Sequence, residues 1–250
     1  MLALSLIGIG CGDPGQLTLA AVRAINAADL ILIPRKGEEK SDLAELRREI
    51  CARVLTNDNT RLVEFDLPVR DPASEDYRGG VDDWHDAVAA VWSREIKTYL
   101  GNNGRVAFLI WGDPSLYDSS LRIARRLDPV PEIEVIPGIT AIQALCAAHA
   151  IPLNEIGAPF VVTTGRQLSE NGWPAGVETV VVMLDGGAAF QLLDPSGIEI
   201  WWGAYLGMPN QLIFSGMLGD VGAKIVEARA EARKQHGWIM DSYILKRVSI

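Results

Sequence analysis

Residues Val106 to Trp111 form an unbroken apolar run, VAFLIW, and Gly112-Asp113-Pro114 ends it. A run of this length suits a strand buried on both faces, as in a parallel sheet covered by helices. Glycine lets another group approach the backbone closely, and proline fixes φ and withdraws one N–H. Helical spacing resumes through Leu121 and Arg125. An acid in such a strand-to-helix loop lies at the carboxyl end of a parallel strand, where open α/β sheets bind ligands. The same aspartate also reads as a helix cap, and both readings stand at this point.

The pattern recurs along the chain. Leu2 to Ile9 reads as a first strand running into Gly8-Ile9-Gly10-Cys11-Gly12-Asp13-Pro14-Gly15. The spacing is not the GxGxxG of a dinucleotide site, and a proline stands where the phosphate-binding helix should begin. A helix carrying Leu19, Val22 and Ile25 follows, then a strand over Leu30–Ile33. A helix capped by Ser41, a strand over Leu62–Phe65, a long polar loop from Asp66 to Gly80 and a helix from Asp82 to Leu100 come next. A strand over Ile133–Ile136 ends at Pro137-Gly138, and Thr140 opens a helix over Ala141–Ala150 whose free N–H groups suit a small polar group. Beyond Ile151-Pro152 strands dominate: Phe160–Thr164, Thr179–Leu184, Ile198–Tyr205, Leu212–Met217 and Ile239–Val248. Helical segments there lie around Ala188–Leu193 and over Val221–Gln235. The expectation is an α/β protein of two domains: residues 1–137 with a parallel-type sheet, and residues 138–250, an α+β domain with a mixed sheet. A cleft between two domains is a favoured ligand site.

An apolar content of 48% supports a substantial core, and a formal charge of −9 argues against a nucleic-acid groove. Cys11, Cys51 and Cys146 show no paired spacing, and Cys146 with His149 lacks further ligands, so neither a disulfide frame nor a metal site is expected. No basic leader and no apolar run of the ~18 residues needed to span a bilayer is visible. A soluble cytoplasmic protein that avoids membranes is expected.

The stretches GIGCGDPGQLTLAAVRAINAADLILIP, WGDPSLYDSS and EVIPGITAIQAL occur in the order and spacing of the tetrapyrrole (precorrin) methyltransferase family, which this chain resembles. Four others, RKGEEKSDLAELRREICAR, GVDDWHDAV, AAHAIPLNEIGAPFVVTTGRQL and VVVMLDGGAAF, are similar to the branch that removes an acetyl group as it methylates. Two positions depart from the family pattern. Cys11 stands where proline is usual, and an ATxPEQ-like stretch reads Leu206-Gly207-Met208-Pro209-Asn210-Gln211.

The resemblance implies the two-domain, non-Rossmann tetrapyrrole methylase fold, a homodimer, and S-adenosylmethionine in the interdomain cleft, with S-adenosylhomocysteine as product. Carried over by motif, cofactor contacts fall on Cys11, Gly112, Asp113, Leu116, Thr140 and Ala141, with Met183, Leu184 and Leu206 from the second domain. Asp113 and backbone groups would hold the polar parts, and Leu116 and Met183 would cover the adenine. The implied reaction is methylation of precorrin-5 at C1 with release of acetate, in cobalamin biosynthesis. A polycarboxylate substrate requires local cations: Arg35, Lys36, Lys40 and Arg166 are the candidates, with Arg47 and Arg48 ranked behind them. Acetyl loss requires a water directed at a carbonyl, for which Asp13, His85, Tyr117 and Asp118 are the candidate groups. Other readings are another precorrin methyltransferase, a diphthine synthase-like enzyme of the same fold, and a non-catalytic nucleotide-binding module.

Overall fold

The computed structural model describes residues 1–35, 41–68 and 77–248, without the side chains of 41, 42, 77 and 78. Two compact units divide it, Met1–Ile139 and Thr140–Ile250.

The first unit is built on five parallel strands: β1 (Leu2–Gly8), β2 (Leu30–Arg35), β3 (Arg61–Asp66), β4 (Gly104–Ile110) and β5 (Glu132–Ile136). Their order is β3-β2-β4-β1-β5. Helices α1 (Leu19–Ala27) and α2 (Ser41–Val54) cover one face, and α3 (Tyr77–Leu100) and α4 (Ser120–Ala124) the other. Alternation on the strands assigns each side chain to its face. Leu30, Leu32, Val106 and Phe108 pack with Val88, Trp92 and Ile96 of α3, whereas Ile31, Ile33, Ala107 and Leu109 pack with Ile25 and Ile50. Trp92 stacks on Phe108 with ring centroids 3.8 Å apart. A fully buried aliphatic side chain contributes roughly 1.5–3 kcal/mol, so the apolar runs carry this unit. Several boundaries differ from expectation, two of them near the carboxyl edge. α3 begins at Tyr77, inside the stretch expected to be loop, and β2 runs through Pro34 to Arg35.

The second unit holds β6 (Phe160–Thr164), β7 (Thr179–Met183), β8 (Ile198–Ala204), β9 (Leu212–Met217) and β10 (Asp241–Arg247), in the order β6-β7-β10-β8-β9. β6 and β7 are parallel, while β10 is antiparallel to both β7 and β8, so the sheet is mixed. Helices α5 (Ala141–His149), α6 (Gly165–Asn171) and α7 (Leu218–His236) complete it. α6 has no counterpart in the sequence reading: its GRQLSEN stretch opens on glycine and is too polar to show an apolar period. Thr164 caps it, with Oγ1 accepting from Gln167 N. No helix of the described residues is long and apolar enough to cross a membrane.

A buried polar network ties this unit together. Arg229 Nε donates to Asp241 Oδ2 at 2.7 Å, and Trp202 Nε1 donates to the same oxygen at 2.7 Å. Arg229 also donates to the carbonyl of Asp185, and Tyr243 Oη donates to Asp185 Oδ2 at 2.6 Å. A buried ion pair is favourable only when its remaining hydrogen-bonding capacity is met, and here two further partners, Trp202 and the Asp185 carbonyl, contribute to that. Asp241→Ala should therefore lower the stability of this unit by about 3–5 kcal/mol, read as a fall in the urea midpoint. An unchanged midpoint would contradict that role.

Candidate functional site

The carboxyl edge of the first sheet is closed by backbone on backbone. Beyond β1, Ile9 N donates to Ile110 O at 2.9 Å, and Gly10 and Gly112 form an isolated bridge, with Gly112 N to Gly10 O at 2.8 Å. A Cβ on Gly138 would lie 2.2 Å from Gly112 O, and one on Gly8 would lie 2.6 Å from Gly138 N. Only glycine permits three loops to meet at that distance. Asp113 locks the junction. Its Oδ2 accepts from Gly138 N at 2.8 Å, and its Oδ1 accepts from Ser115 N at 2.8 Å and from the Ser115 hydroxyl. Burial raises the Asp113 pKa, but the hydrogen bonds from the Ser115 side chain, Gly138 N and Ser115 N hold it below the usual aspartate value.

The other residues expected at the cofactor divide into three kinds. Cys11 is buried, with Sγ 3.7 Å from Ile139 O, and burial pushes its thiol up to about 12, so it is an inert neutral side chain. Gly112 takes φ +66° in the bridge just described, and Leu116 is half-buried in the turn that follows. In the second unit Thr140 forms a capping box with Gln143, its Oγ1 accepting from Ile142 N at 3.2 Å, and Ala141 is half-buried at the first turn of α5. Leu206 belongs to the core: it is 5% exposed, against Gly203, where a Cβ would lie 2.7 Å from its Cδ2. Its side chain is thereby unavailable to a ligand. Leu184 is the opposite case. It follows β7 at φ +52°, a conformation unfavourable for leucine, and is 65% exposed beside the half-buried Met183. Stability explains neither feature, and strain of this kind gathers at functional sites.

The loop carrying Leu184 is anchored by Asp185, whose Oδ1 accepts from Gly187 N at 2.9 Å and Oδ2 from Ala189 N at 2.7 Å. Asp185 also explains Gly165, since a Cβ there would lie 2.4 Å from its carboxylate.

The candidates for acetyl loss are scattered. Tyr117 and Asp118 follow β4 on the carboxyl edge. Tyr117, at φ +51°, is 44% exposed with its phenol pushed up by burial, and is therefore a proton donor at neutral pH. Asp118 is half-buried, with Oδ1 accepting from Ser120 N at 2.7 Å. Asp13 is exposed and caps the 3-10 turn Pro14–Gln16 through Gly15 N at 2.7 Å. His85 is neither the surface helix residue nor the accessible base that the sequence allows. It is 3% exposed on α3, neither ring nitrogen makes a hydrogen bond among the described residues, and burial, then Arg126, lowers its pKa. A neutral imidazole enclosed in packing cannot reach a substrate carbonyl.

The cations also rearrange. Arg35 is engaged: its Nε and Nη2 fork onto Asp66 at 2.9 and 3.0 Å. Lys36 and Lys40 lie outside the described residues. Arg166 is exposed on the first turn of α6, and Arg48 pairs with Glu64. Arg47, ranked low on sequence, faces inward instead, with Nε donating to Leu109 O and Nη1 to Leu43 O, both at 2.9 Å. The sequence ranks it behind Arg35, Lys36, Lys40 and Arg166, and only the position of β4 shows which carbonyl its guanidinium meets.

Asp113 gives a test with a defined sign. Its folded pKa is depressed, so its stabilisation is present above the unfolded aspartate value and lost as pH falls through the folded one. Asp113→Asn places an amide where one of the two acceptor oxygens is needed and should cost about 1.5–3 kcal/mol at neutral pH. The gap between the variant and the parent should close as acid is added through the range below the unfolded aspartate pKa. A pH-independent gap in urea denaturation would contradict the clamp.

The description Tetrapyrrole (Corrin/Porphyrin) Methylases belongs to a family profile that matches residues 3–222. A precorrin-6A synthase (deacetylating) of Sinorhizobium sp is 48% identical over 251 residues, covering 99% of this chain and 96% of that protein. The crystal structure of a cobalamin-synthesis-related protein (CobF) from Corynebacterium diphtheriae superimposes with a TM-score of 0.85 at 38% identity, covering 100% of both chains. At 21% identity, the Thermus thermophilus uroporphyrin-III C-methyltransferase complexed with S-adenosyl homocysteine shares the fold, with a TM-score of 0.61 over 98% of this chain and 97% of that one. With its glycine-closed carboxyl edge, its mixed second sheet and these relatives together, the chain belongs to the tetrapyrrole methylase family.

Proposed function

We propose that this protein is an S-adenosylmethionine-dependent methyltransferase that methylates precorrin-5 at C1 and releases acetate, giving precorrin-6A in cobalamin biosynthesis. The observation that carries this reading is the 48% identity across 99% of the chain to a precorrin-6A synthase (deacetylating).

The residues fit a sulfonium nucleoside. The first unit offers an ionised carboxylate at Asp113, backbone groups beside Gly112, and the half-buried Leu116. The second offers the first turn of α5 at Thr140 and Ala141, and the apolar pair Met183 and exposed Leu184. We assign S-adenosylmethionine to these groups. When bound, it supplies a methyl group on a positively charged sulfur. The protein's part is then to position and to exclude water, since the macrocycle carbon is itself the nucleophile. Asp113, held in place by Gly138 and Ser115, keeps a fixed negative charge on that edge without rotating to meet a ligand. Leu116 and Leu184 supply apolar cover.

The substrate is polyanionic and the protein carries a formal charge of −9, so long-range steering is unfavourable and binding depends on local cations. The candidates among the described residues are Arg35, exposed but engaged by Asp66, and the exposed Arg166. We also propose a cytoplasmic homodimer, which light scattering of the purified protein tests.

Incubation with precorrin-5 and methyl-labelled S-adenosylmethionine should yield S-adenosylhomocysteine and acetate in equal amounts, with oxygen from labelled water in the acetate. A methylated product that keeps its acetyl group would move this chain to another precorrin methyltransferase. Activity should survive chelation, since methyl transfer from a sulfonium requires no metal. Loss on chelation, restored by a divalent cation, would overturn that expectation.

A further inference from the structure

Within the first unit a cavity of about 190 Å³ opens at the carboxyl ends of β2, β3 and β4. Its walls are aromatic, from Phe65, Trp84, Trp92 and Trp111, and two charged residues, Arg47 and Asp118, also line it. Such a volume accommodates a two-carbon group and a water, the latter occupying about 30 Å³.

The polar groups in this apolar wall are specific in kind. Arg47 is fixed by two backbone carbonyls, Leu109 O and Leu43 O, which leaves Nη2 without a partner among the described residues. Burial lowers its pKa to about 10 while Asp118 raises it, so the guanidinium is charged at neutral pH. Among the described residues Asp118 makes no ion pair with it, and its Oδ2 accepts no hydrogen bond. Trp92, 4% exposed, has an Nε1 with no partner. Arg47 Nη2 is thus an unused donor on the lining, which the Asp118 carboxylate shares. A buried donor left unmade costs roughly 1–3 kcal/mol, so a cavity of this kind suits an occupant that accepts hydrogen bonds. A carbonyl oxygen on a small apolar group matches donors, walls and volume together. A cation would meet Arg47.

We propose that this cavity is the subsite for the acetyl group that is lost, with Arg47 holding its carbonyl oxygen and Asp118 taking the proton of the attacking water. This deepens the function proposed above and rests on it. A water oxygen bonds to the acetyl carbon, and one of its protons passes to Asp118 Oδ2. The carbonyl oxygen becomes an oxyanion that Arg47 Nη2 is placed to stabilise, already oriented by its two carbonyl partners. The bond between C1 and the acetyl carbon then breaks. Its electron pair stays on C1, the carbon to be methylated, and acetic acid leaves and ionises. Arg47 stabilises the resulting carboxylate as it did the oxyanion.

Two measurements test this. The first needs no substrate: sodium acetate is titrated into the intact protein against sodium chloride at equal ionic strength, and tryptophan emission is read. A saturable change with acetate alone is expected, because three of the wall residues are tryptophans. It should be lost in Arg47→Met and kept in Arg53→Ala, an exposed position on the same helix. Absence of a saturable change in the parent protein would overturn the proposal. The second compares acetate release from precorrin-5. Arg47→Met should slow it on the order of 10²–10³-fold while S-adenosylhomocysteine affinity, by calorimetry, is unchanged. Arg47→Lys, which keeps the charge, and added guanidinium on Arg47→Ala should recover part of the rate. Acetate release from Arg47→Met at the parent rate would overturn the assignment. Failure of the parent protein to produce S-adenosylhomocysteine from precorrin-5 would instead overturn the proposed function, leaving the acetate titration to decide the cavity.

Discussion

The carboxylate of Asp113 joins two loops that no side chain could otherwise bring so close. The loops after β1, β4 and β5 meet through Gly8, Gly112 and Gly138, at separations where a single methyl group would overlap backbone. That contact contributes little apolar burial, so hydrogen bonds must hold it. Asp113 supplies them from one residue, accepting from Gly138 N on one oxygen and from Ser115 on the other. The carboxyl edge of the sheet depends on that junction for its shape.

The second unit solves an equivalent problem in the same chemical terms. Asp185 follows β7 as Asp113 follows β4, and each accepts from the N–H two residues on. Each also faces a glycine or a backbone amide that leaves no room for a larger residue, Gly138 in one case and Gly165 in the other. Asp185 is in turn tied to Arg229, Asp241 and Tyr243, so the strained Leu184 beside it is supported from the core. Acids that look like ligand contacts thus serve first to hold loops rigid. What they leave available is backbone and apolar surface, which suits a ligand held by shape and by one fixed negative charge.

Charge is divided along similar lines. The exposed arginines are largely paired, Arg35 with Asp66 and Arg48 with Glu64, and such pairs contribute at most about 1 kcal/mol each. Arg47 differs because its partners are backbone carbonyls, which orient the guanidinium without neutralising it. A cation so placed in an aromatic wall acts at low dielectric, where its field on a developing oxyanion is far stronger than at the surface.

The fold class, the order of elements and the family could be read from the chain alone, because they rest on local signals. Apolar runs of strand length, ended by glycine or proline, specify buried parallel strands wherever they occur, and Thr140 with Gln143 specifies a helix start from four residues. The first turn of α3 from Tyr77 and the short polar α6 escaped because neither shows an apolar period. The candidate site was legible as a set of positions but not as a set of roles. Asp113 follows a strand as the sequence suggests, yet whether its oxygens face a ligand or a neighbouring amide depends on loops 25 residues apart meeting in space. Arg47 and His85 show the same limit from opposite sides. At helical spacing Arg47 has Leu43, Ala44, Ile50 and Cys51 beside it and His85 has Val88 and Ala89, yet only packing turns one toward the strand ends and encloses the other. Periodicity records which face of a helix is apolar, but the tertiary structure decides which buried polar group finds a partner and which is left to bind something else.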